Sequence, residues 1–244
     1  MEGRAVSAQA DLVIALERGA RVTRARRADP QLDALCARLA GWQSRRLGMT
    51  YADLAANPRY TAAVTFFQSD LYGAADYSQR DADLSRVVPV MVRLLPSAVI
   101  ATVAQAMELS ALSHELDEAL ALRLGNDPLD ARHYARAYRD CDNLAARQRQ
   151  IALVMDVGQA LDRYVRKPLL RASLAAMRRP ARAAGLGELQ GFLERGFDAF
   201  ARMRGADEFM STIVERELAL MHGLFAGQDS ALTRLADSGA SGQA

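Results

Sequence analysis

The apolar residues of this chain recur at three- and four-residue spacing almost from end to end, the period of a helix with one buried face. In the first segment Leu12, Ile14, Ala15 and Val22 predict a weakly amphipathic helix over 8–27, closed by Arg24, Arg26 and Arg27, cations suited to the negative end of a helix. Asp29-Pro30 is a cap followed by proline at the first helical position, and Leu32, Leu35, Cys36, Leu39 and Trp42 carry a second helix to Gly48. Thr50 is placed to cap a short turn ending at Ala56. Asn57-Pro58 then opens a helix over 58–72 with the stripe Tyr60, Ala63, Val64, Phe67 and Leu71, closed by Gly73. Ser78 with Asp81 resembles a capping box ahead of Leu84, Val87, Val88, Met91 and Leu94, a run that Pro89 should kink or divide.

Pro96-Ser97 starts the longest predicted helix, which ends at Leu124 before Gly125. Asp127-Pro128 repeats the cap-then-proline signal for a helix to about Asp140. Asp142 or Asn143 caps the next, over 144–167, and Pro168 breaks it. A helix follows over 169–177, then a looser stretch punctuated by Pro180, Gly185 and Gly187. Helices over 188–203 and 206–225 complete the pattern, and beyond Gly227 small polar residues predict a flexible tail over 228–244. No strand pair or hairpin turn interrupts this. The expected fold is all-α: one bundle-like domain over 1–227 of nine or ten helices, with a soft division near 178–187.

Composition agrees. Half of the residues are hydrophobic, a quarter are charged, and 47 of 244 are Ala. The basic residues are 30 Arg and the single Lys167, scattered and nearly balanced by acids. A net charge of +2 gives little reason to expect nucleic acid as a partner. Cys36 and Cys141 stand far apart in helical patterns and read as small buried thiols. The charged N-terminus lacks a signal peptide's apolar run, and charges and prolines interrupt the most apolar stretch, 87–107, so a cytoplasmic protein without membrane contact is expected.

The segment holding Phe66, Phe67, Leu71 and Tyr72, with the downstream run Asp81, Leu84, Arg86, Pro89, Met91, Arg93, Leu94, Leu95 and Pro96, resembles an uncharacterised bacterial family named for an FFLEELY motif. The resemblance covers most of 60–225. It implies a family label and no reaction. Gln68, Ser69 and Asp70 stand where the motif has Leu, Glu and Glu, so a mechanism needing both acids is not implied here.

Several charges lie in or beside apolar stripes, where a charge needs a partner. Asp70 follows Phe66 and Phe67 by one turn. Arg86 and Arg93, seven apart, could meet it as an anion site or as a structural ion pair, the more economical account. Arg147 interrupts the stripe Leu144, Ile151, Val154, Gly158, Leu161 and Val165, where Gly158 would permit close helix approach. Glu217 interrupts Ile213, Leu220 and Leu224. Arg147 and Glu217 could pair with each other, line a polar pocket or mark a dimer seam. Glu108 and Glu115, with His114 adjacent, are a weak metal alternative, because the Glu-x-x-His spacing of bundle metal sites is missing. His133, Tyr134, Tyr138, Asp140 and Cys141 form a polar cluster in which a lone His reads as a surface residue. Arg45, Arg46, Arg178, Arg179 and Arg182 read as solvated basic spots.

No phosphate loop, nucleophile elbow, dinucleotide fingerprint or zinc cluster is present. Two readings remain. The favoured one is a non-enzymatic helical protein acting through a protein partner or as a homodimer. The other is an enzyme or small-ligand binder, with metal or haem conceivable, whose site lies inside the bundle. No cofactor is expected, and whether the chain is an enzyme is left open.

Overall fold

The computed structural model describes residues 2–71, 96–228 and 232. They form ten α-helices and no strand: α1 Glu2–Ala28, α2 Pro30–Thr50, α3 Ala52–Ala56, α4 Thr61–Phe66, α5 Ser97–Leu124, α6 Ala131–Asp140, α7 Leu144–Val165, α8 Pro168–Ala183, α9 Gly187–Met203 and α10 Asp207–Phe225. The predicted all-α class is observed. The predicted closing Gly73, the capping box at Ser78, the helix through Leu84–Leu94 and almost all of the tail lie outside the described residues.

Local chemistry accounts for the clearest boundaries. Asp29 caps α2 as expected, accepting from the Gln31 and Leu32 amides at 3.0 Å each. The α5 helix starts after Pro96 and stops at Gly125, whose φ of 48° is cheap only for glycine. Elsewhere competing contacts moved the ends. Thr50 does not cap α3; its hydroxyl donates back to the Arg46 carbonyl at 2.9 Å. Pro58 does not open a helix: a turn intervenes, and α4 begins at Thr61 and widens into a π turn over Phe67–Leu71. Asp127 is not the cap of α6. Asp130 is, because its carboxylate reaches the His133 amide at 2.9 Å. Pro180 does not end α8. It lies within the final turn of this exposed helix, where little is lost with one amide, and the Leu186 amide closes the end on the Ala181 carbonyl at 2.8 Å, with Gly185 at φ 73°.

Packing is organised around α5 and α7. The α1 helix lies along α5, which also meets α2, α6 and α7, while α7 in turn meets α9 and α10. Two large apolar clusters result. One joins Leu39, Leu120, Leu124, Tyr134, Tyr138, Met221 and Leu224. The other joins Leu47, Tyr51, Val64, Val154, Phe200, Met203, Phe209 and Met210. The close approach expected at Gly158 is present: a Cβ there would lie 2.4 Å from Met210 Cε. Among the described residues no helix is long and apolar enough to cross a membrane.

Candidate functional site

Of the buried polar residues, Arg46 and Arg147 line a cavity of about 100 Å³ that draws wall residues from both apolar clusters. The sequence dictates this in a simple way. Helix α2 places Leu39, Gln43, Arg46 and Leu47 on one inward face, α7 does the same with Arg147, Gln150, Ile151 and Val154, and α10 with Ile213, Glu217, Leu220 and Leu224. Where three such faces meet, a charge in each stripe is carried into the interior.

Glu217 finds its partner in Arg46, not in Arg147. Arg46 Nη1 donates to Glu217 Oε1 at 2.5 Å, and the Tyr51 hydroxyl donates to the same oxygen at 2.7 Å. Arg46 is only 8% exposed. This overturns its reading as a solvated basic spot. Burial works against its charge, but the Glu217 carboxylate, with Tyr134 and Tyr51 beyond it, more than offsets that and holds the guanidinium charged above its ordinary range. The signal was available, since Arg46 stands seven residues after Leu39 on the inward face of α2.

Arg147 is 5% exposed, and no carboxylate among the described residues lies within ion-pair distance of it. Its Nη2 donates to the Leu116 carbonyl at 3.3 Å and its Nη1 to Gln150 Oε1 at 3.4 Å, both long contacts to neutral acceptors. Its guanidinium lies 4.6 Å from the Tyr138 ring centroid, and its Nε has no hydrogen-bond partner. Gln43 donates to Asp117 at 3.0 Å and Gln150 to Ser113 at 2.8 Å. Desolvation raises the Asp117 carboxyl above its usual range against the pull of Arg147, Gln43, His114 and Arg26. Burial likewise raises the Tyr134 and Tyr138 hydroxyls. Trp42, the only tryptophan, stacks on Tyr134 with centroids 4.2 Å apart.

The other residues singled out by sequence are distributed as follows. Phe67 lines the cavity and touches the Phe200 and Phe209 rings. Phe66 is buried one step away against Phe192 and over Gly196. The side chain of Asp70, with Tyr72, Arg86 and Arg93, lies outside what is described. Glu108 accepts two bonds from Arg149 of α7, at 2.9 and 2.8 Å, and Glu115 accepts from Arg18 of α1. Each carboxylate of the metal alternative is thus engaged by a different helix. Among the described residues no group of three or more His, Cys, Asp or Glu could hold a metal ion. His133 sits on the surface against Asp130 at 2.9 Å, whereas its neighbours Tyr134 and Tyr138 turn inward to the cavity. Burial pushes the Cys36 thiol up to about 11, as expected of an inert group.

Sequence reasoning missed Arg46, Gln43, Tyr51 and Asp117. Each is polar or amphipathic and stands beside residues that looked solvent-facing, so only their inward spacing marks them.

Residues 22–231 match the model of a family described as "Domain of unknown function (DUF8198)". No curated protein and no solved structure matches the chain.

Proposed function

Because the chain belongs to the DUF8198 family, whose description assigns no activity, we propose from the site alone that it is a small-ligand binder or enzyme working from the cavity inside its bundle. The observation that carries this is the lining: two buried guanidinium groups and the half-buried Glu217 carboxylate on one cavity whose wall also includes Val64, Phe67, Val154, Phe209 and Ile213. A mostly apolar pocket with a few convergent polar groups is the usual form of a small-molecule site. Burying charges without a task costs stability, since an apolar set of similar volume packs as well or better.

The resemblance to the FFLEELY family supports the same location. The second Phe of that motif, Phe67, is a wall residue. Gln68, which replaces the motif's Leu, brings an amide to the wall. The homodimer or protein-partner reading rests on less. The large exposed apolar residues among those described, Val13, Ile14, Leu122, Leu144, Leu169, Met177 and Leu193, are spread over five helices. A cytoplasmic location belongs to this proposal.

The test is a thermal-shift screen of the full chain against neutral and charged compounds of up to about five non-hydrogen atoms, a size bounded by the cavity. Trp42 emission serves as a second reporter. At least one compound should raise Tm saturably and change that emission. A screen with no such compound overturns the reading.

A further inference from the structure

The cavity's charges do not close on themselves. Arg46 has Glu217, but Arg147 has neutral acceptors at 3.3 and 3.4 Å and an aromatic face. A guanidinium cannot shed its proton to escape the cost of burial. The second acid at the site, Asp117, accepts from Gln43 at 3.0 Å and forms no ion-pair contact with Arg147. Arg147 therefore faces the cavity with no carboxylate of the described residues at ion-pair distance.

Size narrows the complement. An engineered cavity of ~150 Å³ accommodates benzene, with its six ring carbons, so about 100 Å³ takes roughly four or five non-hydrogen atoms, too few for a nucleotide or sugar phosphate. Glu217 stands against a dianion, because a second negative charge would face its carboxylate. The planar guanidinium fork matches a carboxylate in bidentate geometry. The aliphatic and aromatic wall leaves room for a short apolar remainder rather than for a bare inorganic ion.

Resting on the reading of this cavity as a ligand site, we infer that its occupant is a small monocarboxylate held by Arg147, with its apolar part against the wall that includes Phe67, Phe209 and Ile213. The Arg46–Glu217 pair sets the charge limit, and Arg147 supplies the recognition.

The experiment titrates the full chain with acetate and propionate. Each is paired with its amide, and chloride is added at matched ionic strength. Trp42 emission and Tm are the readouts. At least one carboxylate should bind saturably and at least tenfold more tightly than its amide. Arg147→Met should abolish that preference and Arg147→Lys should keep part of it. Circular dichroism of each variant checks the fold, and the amide titrations on wild type keep the result decisive if a variant is unstable. Amides binding as well as the acids, or chloride protecting equally, would overturn the carboxylate inference and leave the cavity a ligand site. If acids, amides and the broader screen all fail to bind, both readings fall.

Discussion

Arg46 of α2 and Glu217 of α10 meet inside the bundle at 2.5 Å, 171 residues apart in sequence, and among the described residues no other ion pair is as little exposed. Removing one partner of a buried pair strands the other charge. Glu217→Leu should therefore destabilise the protein by about 3–5 kcal/mol, and Arg46→Met with Glu217→Leu should recover most of that loss. Urea unfolding of the single and double variants measures it. A double variant as unstable as the sum of the singles would show that packing, not charge, dominates here.

Arg147 predicts the opposite sign. With no carboxylate partner, its charge is a standing cost in the unliganded chain. Arg147→Met, close in volume, should leave stability unchanged or raise it by about 1–3 kcal/mol. Thermal unfolding in buffer free of organic acids is the measurement. A loss of more than ~2 kcal/mol, the scale of charge-assisted hydrogen bonds, would mean that the contacts to Leu116, Gln150 and Tyr138 outweigh the desolvation.

Asp117 gives a pH signature. An unfolded aspartate titrates near ~3.9, and the folded-state value is higher because of desolvation. The folded chain thus holds this proton more tightly, and stability declines as pH rises through the folded value. Asp117→Asn, which can still accept from Gln43, removes that decline. Its Tm relative to wild type should be higher at pH 8 than at pH 3. Equal differences at both pH values would count against a raised carboxyl.

Gly158 is a steric prediction. Its missing Cβ would fall 2.4 Å from Met210 Cε and 2.5 Å from Sδ, and Met210 is fully buried. Gly158→Ala should cost about 1–3 kcal/mol by overpacking, despite alanine's better helix propensity. Combining it with Met210→Ala should cost less than the two singles summed, a non-additivity that chemical denaturation resolves.

What the sequence revealed depended on whether the cause was local. The limits of α5 were legible because Pro96 and Gly125 act on their own backbone. The cap of α6 was misplaced by three residues because Asp127 and Asp130 are equally good donors of a carboxylate, and only the turn through Pro128 decides which one reaches an amide. Arg147 and Glu217 stood out because each breaks a long apolar stripe. Arg46 did not, since Gln43 and Arg45 beside it dilute the pattern on α2. Which cation would meet Glu217 was beyond local reading altogether: it depends on how α2, α7 and α10 are docked.

The same dependence reaches into how the chain assembles. Asp162, deep in α7 and 5% exposed, accepts the Ala206 amide at the start of α10 at 3.1 Å, while the Ala206 side chain provides no cap of its own. The last helix borrows its starting signal from another helix 44 residues earlier. The start of α10 is thereby tied to α7, so the helix that carries Glu217 and the helix that carries Arg147 are coupled through Asp162, and a change at that carboxylate is felt at both charges of the cavity.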